Sequence, residues 1–370
     1  MNAPVRLFQP IAARPAPVLR TGWLSTLRGQ LFSSIPNSVL SVLVLGVFAW
    51  LAVKGFGWGI ANAVFAANAD ACQAARGVGA CWGVVNEKAR FILLGRYPQA
   101  EQWRPVLATF ALLAPVLASC SPRFWRPSLA LIWAAGVGLF FALMGGVGAM
   151  GKVPTDQWGG LPLTLMLSVI SMVLAFPIAV LVALGRRSGM PAIRSLCAVY
   201  VEVVRGVPLI SVLFMASFML PLLMPVGKTP DVLIRVVVGI TLFAAAYMAE
   251  IIRGGLQTVG RGQVEAAQSI GLGYWQTQTK IVLPQALGAV VPSIVNNFIS
   301  LFKDTSLVTI VSLYELTGAL SLALGSDPNW RPFKIEAYLF IAAIYFAFCY
   351  AMSRYSLRLE KRLAHQDNHA

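Results

Sequence analysis

The chain has 370 residues, of which 58% are hydrophobic and only 12% charged, and its mean hydropathy is +0.72. A water-soluble domain of that length cannot cover its surface with so few charges, because only part of its apolar content can be buried. The composition excludes an ordinary soluble fold and requires a bilayer. The net charge of +15 does not point to nucleic acid, because the basic residues sort by membrane side once the spans are placed.

A helix needs about 20 mainly apolar residues to cross roughly 30 Å of hydrocarbon. Taken in chain order, a Pro- and Arg-rich cytoplasmic segment, 1–36, leads into a span at 37–54 and a long outer loop, 55–102. Spans at 103–120 and 127–150 complete an N-terminal extension, 37–150. After a Gly/Pro/Asp junction, Gly151 to Pro162, five further spans are predicted at 161–185, 208–226, 232–252, 286–302 and 336–353. The apolar stretch 306–325, interrupted by Glu315 and Gly318, is either a ninth span or a short helix on one face.

Charge chooses between these. With eight spans and a cytoplasmic N-terminus, the inner side holds 17 of the 29 Lys/Arg and five acidic residues, against 12 and nine outside. That is the positive-inside pattern. A ninth span would move Arg354, Arg358, Lys361 and Arg362 outside, so eight is preferred. The expected fold is an all-α integral membrane protein of about eight transmembrane helices. Cys72 and Cys81 share the outer loop, where a disulfide is chemically possible and two free thiols are the alternative; Cys120, Cys197 and Cys349 read as small apolar fillers. Trp50, Trp58, Trp103, Trp125 and Trp158 fall near span ends and read as interface anchors.

The most informative stretch is Ala249 to Leu307. A hydrophilic loop, 253–285, carries Glu265-Ala266-Ala267, then Gly271, then Ile281, Leu283 and Pro284. Good helix formers followed by Gly271 and Gly273, which let the backbone reverse, predict a short helix, a turn and a second short amphipathic helix. Pro284 suits the first turn of the next helix, where its missing N–H is not needed. Small Ala266 and Ala267 leave a low surface that a partner can approach.

This gapped pattern resembles the cytoplasmic "EAA" loop of ABC importer permeases, with every fixed position present. Its flanks resemble the polar amino-acid branch: Ala249-Glu250 and Arg253-Gly254-Gly255-Leu256 before it, Pro292, Asn296, Phe298 and Lys303-Asp304-Thr305-Ser306-Leu307 after it. Arg205-Gly206-Val207-Pro208-Leu209, with Val207 where that branch usually has Thr, the three-span extension and Gly95-Arg96-Tyr97-Pro98 resemble the general L-amino-acid permease subclass.

The resemblance implies a type I permease core of five helices over 157–365, and import of L-amino acids across the bacterial inner membrane by alternating access. It also implies a coupling loop in which Glu265, Ala266, Ala267, Gly271, Ile281, Leu283 and Pro284 engage a separate ATPase. Its partners would be an ATPase dimer, a second permease subunit and a periplasmic amino-acid-binding protein. No cofactor is expected on this chain, since ATP and Mg belong to the ATPase.

The polar residues in the spans allow two readings. Glu250 either pairs locally with Arg253 or forms a gate. Asn296 and Asn297 either bond neighbouring helices or line the substrate path. Lys303, Asp304 and Thr305 either cap a helix end or belong to an outer gate. Tyr200, Glu202 and Arg205 lie on an amphipathic stretch that reads as an interfacial elbow helix. The chain has no G-x-x-x-x-G-K-[ST] run for nucleotide. Its two histidines, His365 and His369, have no partner at metal-ligand spacing, and no catalytic triad is placed. A transport subunit, not an enzyme, is expected. An ion-driven transporter or a membrane enzyme would instead need ionisable residues near the midplane, where only Glu250, Glu315 and Arg235 come close.

Overall fold

The computed structural model describes residues 22–367 apart from Trp125, Ala149 and Val226, and the described residues form helices without a β-strand. Trp125, most of the N-terminal segment and His369 lie outside the described residues. The chain divides into two compact units, one from the described part of Met1–Ala63 with Ala75–Ala80, the other from Val64–Ala74 and Cys81–Ala370.

In the first unit, α1 (Trp23–Leu31) precedes α2 (Ile35–Phe56), which a π turn prolongs to Ala61. The Ser34 hydroxyl accepts the Asn37 N–H at 3.4 Å and Pro36 occupies the first turn, so the start is capped in the ordinary way. No residue of α2 is buried, and Leu40, Leu43, Val47 and Phe48 stand exposed, as expected of a helix whose solvent is lipid.

The second unit opens with α3 (Ala69–Ala74) and α4 (Gly83–Leu94). Cys72 and Cys81 are disulfide-bonded with Cα atoms 5.4 Å apart, which decides between the two thiol readings. Helices α5 (Trp103–Ser119) and α6 (Ser128–Gly145) pack as a pair. Then come α7 (Gly160–Arg186) and the amphipathic α8 (Pro191–Gly206), which bends by 102° into the short helical run Leu209–Leu222. That run consists of α9 (Leu209–Phe214), a π turn and α10 (Leu220–Leu222). The elbow reading of α8 holds: Ile193, Leu196, Val199 and Val203 form an exposed apolar stripe at i+3/i+4 spacing.

Five helices follow: α11 (Val232–Thr258), α12 (Arg261–Ser269), α13 (Tyr274–Thr277), α14 (Leu283–Asp304) and, after a 3₁₀ segment Thr305–Val311, α15 (Leu316–Gly325). The last is α16 (Lys334–Asp367). The core is built on α7 against α11, where small residues (Ser171, Ala175, Ala179 and Ala183 facing Ala245 and Ala249) are buried and let two long helices approach closely.

Among the described residues six helices are long and apolar enough to cross a bilayer, seven with the bent pair, against the eight predicted; the predicted span at 103–120 is the apolar α5, shorter at 17 residues. The ninth does not form. Thr305–Val311 and the 10-residue α15 are separated by a turn, and α15 spans only about 15 Å at 1.5 Å per residue. Its Leu316, Ala319, Leu320 and Ala323 are buried inside the chain.

One further expectation is corrected. Trp158 is not an interface anchor: it is 4% exposed and its indole N–H donates to the Val153 carbonyl. The junction there is tight because Gly160, at φ +63°, passes the end of α4 so closely that a Cβ would meet the Leu93 oxygen at 2.1 Å, and only glycine tolerates that approach.

Candidate coupling site and translocation face

The hydrophilic loop folds as a corner. Helix α12 ends in a Schellman turn: Gly271 sits at φ +79°, its N–H donates to the Gln268 carbonyl at 2.9 Å, and the Leu272 N–H reaches back to Ala267 at 3.1 Å. That 5→2 and 6→1 pair is what a left-handed C′ glycine makes available. The chain then re-enters a helix at Tyr274. The expected second short helix is α13, and a π turn, Gln278–Val282, joins it without a break to α14. Pro284 lies in the first turn of α14, as expected. It follows the π turn, whose wider geometry accommodates the missing donor.

The corner sorts the predicted coupling residues. Glu265, Ala266 and Gly271 are exposed, whereas Ala267 is buried at 1% and packs inward; it anchors α12 and does not contribute to a docking surface. Ile281 and Leu283 are half-buried at the base of the span, and Pro284 is exposed. Sequence reasoning missed three neighbours: Ile270, Tyr274 and Trp275 are 75%, 57% and 62% exposed, with the two rings edge-on at 5.3 Å. Exposed aromatic and aliphatic groups clustered on an otherwise polar loop mark an interaction surface. Their signal was present, since all three fall inside the Gly271 turn.

Just above the corner, the inner ends of three helices are tied through Glu250. Arg253 Nε donates to both its carboxylate oxygens at 3.1 and 3.0 Å, and Arg186 of α7 also donates to it. Arg186 bonds Glu202 of α8 at 3.1 Å, and Arg205 approaches Glu250 to 3.9 Å. Arg187 adds a bond to the Leu256 carbonyl at 2.6 Å. The local Glu250–Arg253 pair is thus present, but within a network that joins α7, α8 and α11 immediately before the coupling corner.

Along α14 the exposed positions are Gln285, Ala289, Ser293, Asn296, Ser300 and Lys303, spaced three and four apart, so they share one face. From Gln285 to Ser300 such a polar stripe on a spanning helix does not face lipid, and Lys303 lies beyond it at the helix end. On its α11 side is a cavity of about 230 Å³ lined by Phe243, Tyr247, Asn297, Ser300 and Asp304, among others. The buried Asn297 Oδ1 has no hydrogen-bond partner among the described residues.

The three residues predicted at the outer end are separated by the structure. Asp304 lines the α11-side cavity, Lys303 lies in a groove on the α16 side, and Thr305 is buried and donates to the Phe302 carbonyl at 2.7 Å.

Behind Thr305, Glu315 is wholly buried and caps α15. Its carboxyl oxygens receive the N–H groups of Thr317 and Gly318 at 2.8 and 3.0 Å, the Thr309 hydroxyl at 3.2 Å and the Tyr345 phenol at 2.9 Å; the Thr164 hydroxyl lies 3.3 Å away. Arg235 is likewise spent on the backbone carbonyls of Pro230, Ala216 and Ser217. Neither enters an ion pair among the described residues.

Two open surfaces, a cytoplasmic corner and a polar stripe along one spanning helix, define a membrane subunit built to be completed by other chains. Residues 175–365 match the family of binding-protein-dependent transport system inner membrane components, and the chain belongs to it. It is a multi-pass permease component of the inner membrane.

Similarity extends beyond the matched segment. An inner membrane amino-acid ABC transporter permease protein of Escherichia coli, YhdY, is 44% identical over 358 residues, covering 94% of this chain and 95% of its own length. The glutamate/glutamine/aspartate/asparagine transport system permease protein BztC of Rhodobacter capsulatus is 38% identical, over 95% and 96%. A probable glutamine ABC transporter permease protein of Bacillus subtilis, GlnP, is 38% identical over 205 residues, 55% of this chain but 92% of its own. The chain's full-length similarity is thus to the longer permeases.

Proposed function

We propose that this chain is the membrane-spanning subunit through which an ATP-driven importer passes L-amino acids into the cell, coupled to a separate ATPase by the loop 253–285. The observation that carries the reading is the cytoplasmic corner: Ile270, Tyr274 and Trp275 stand in water beside Glu265 and Ala266, held there by the Gly271 turn. A groove on an ATPase subunit is the partner such a surface fits. The Glu250 network then passes its movement to α7 and α8. The polar stripe of α14, with Asn296 and Ser300, and the cavity beside it, with Asn297 and Asp304, form one wall of the path, and a second permease, a homologue of this chain, supplies the other. ATP and Mg reside on an ATPase dimer, and a periplasmic binding protein delivers the substrate and sets most of the choice among amino acids. Names carried by the relatives above support the amino-acid assignment.

The test is uptake of labelled amino acids into vesicles holding this chain with its ATPase, permease and binding-protein partners. Uptake of several L-amino acids that requires ATP, and that Gly271→Pro or Glu265→Lys abolishes without loss of membrane insertion, is the expected result. Uptake that ignores ATP and collapses with the proton gradient overturns the proposal.

A further inference from the structure

The Lys303 groove lies outside the cavity assigned to the path. It measures about 380 Å³ and runs between the outer end of α14 and α16. A second groove of about 370 Å³ adjoins it along α16, sharing Tyr338 and Ala342 and bounded by Lys334, Ile335 and Leu339. Arg331 and Lys334 line a third hollow that also touches Tyr338. The three hollows all touch Tyr338, and Lys303, Arg331 and Lys334 line them between them.

None of Lys303, Arg331 or Lys334 forms an ion pair among the described residues. The nearby acids are engaged elsewhere. Glu336 is 6% exposed and accepts the Cys81 N–H at 3.0 Å, Asp327 bonds Lys88 at 2.7 Å, and Asp304 lines the opposite side of α14. Below the cations the walls are apolar and continue into the exposed stripe Ile335, Leu339, Phe346 and Tyr350 of α16, at the i+4/i+7 spacing of a lipid-facing helix side.

A ligand matching this surface is an anion at one end and a hydrocarbon chain at the other. We infer that the outer α14–α16 groove binds an anionic phospholipid. The phosphate sits at Arg331 and Lys334, which line one hollow with Tyr338, Lys303 adds positive charge from the adjoining groove, and one acyl chain lies along Ile335 and Leu339. Basic pockets between spanning helices hold anionic headgroups in this way, and lysine stems reach along apolar surface to do so. A free anion would leave the apolar stripe unused. A protein partner would require acids of its own opposite three cations.

The test uses the intact importer in mild detergent, read by native mass spectrometry and thermal unfolding. Wild type is expected to retain phosphatidylglycerol in preference to phosphatidylcholine and to be stabilised by it. The Arg331→Gln/Lys334→Gln double variant should retain it about tenfold less, while Lys334→Arg behaves as wild type. Three results would each overturn the inference: equal retention in the double variant, equal stabilisation by glycerol phosphate without acyl chains, or crosslinking of position 335 to the second permease. The readout is lipid retention, so its outcome is independent of whether transport runs on ATP.

Discussion

The inner and outer ends of the helix α13–α14 follow opposite designs. At the inner end the chain leaves work undone: Ile270, Tyr274 and Trp275 stand exposed on a turn whose backbone bonds are complete. At the outer end the following segment, Thr305 to Gly325, closes on itself, with Glu315 buried and four donors from three elements bonded to it. Burying a carboxyl group is tolerable only when its hydrogen bonds are made within the fold. Exposing an aromatic pair is tolerable only when something else covers it. The inner corner therefore takes its energy from a partner, and the outer segment takes it from the chain itself. In the function proposed above, that division assigns the exchange of partners to the inner side and the rigidity to the outer.

The comparison breaks if the outer segment does not depend on Glu315. Glu315→Ala leaves the Thr317 and Gly318 N–H groups unpaired at a buried helix start and removes the cap. A loss of roughly 3 kcal/mol is expected, with a clear fall in the thermal midpoint of the solubilised protein. Glu315→Gln keeps acceptor capacity at one oxygen and should fall between the two. A Glu315→Ala protein that melts with wild type would show that the buried carboxyl is not what holds α15.

A somewhat smaller effect sharpens the other side. Trp275→Ala should leave the permease's own melting unchanged, because that side chain is mostly exposed in the isolated chain. Its affinity for the ATPase subunit should fall about 30-fold, the scale of an aromatic anchor at about 2 kcal/mol. A drop in melting temperature with unchanged affinity would reverse the assignment and make Trp275 an internal packing residue.

What could be read in the sequence follows from how local each feature is. Most spans and the Gly271 turn depend on neighbours within one or two helical turns, so periodicity exposes them. The inward face of Ala267 does not, because two alanines in a row look alike until α12 is laid against the chain. Nor does the fate of Glu315: an acidic residue interrupting an apolar run predicts a break, which is observed, but its donors Thr309 and Tyr345 lie six and 30 positions away. The motif Lys303-Asp304-Thr305 hid most, since three consecutive helical residues point in three directions, into a groove, a cavity and the core. The join between α13 and α14 was illegible because the π turn that makes it has no simple sequence mark.

The smallest expected effect lies at the surface of the same outer region, where Lys88 of α4 donates to Asp327 at 2.7 Å in the turn before α16. That hydrogen bond holds the Asp327 carboxyl below its ordinary range, helped by the Asn329 N–H. A carboxylate whose folded pKa is depressed stabilises the fold at pH above its unfolded value of about 3.9. The contribution is lost as pH falls through the lower, folded value. Wild type should therefore lose thermal stability relative to Lys88→Gln as the medium is acidified below about pH 4, with the two converging once Asp327 is protonated. The difference should be small and should shrink further in salt, because both groups are partly open to solvent and such pairs are well screened. If instead the Lys88 variant loses as much stability as Glu315→Ala, surface charge and not the buried carboxyl closes the outer side, and the contrast between the two ends must be redrawn around α4.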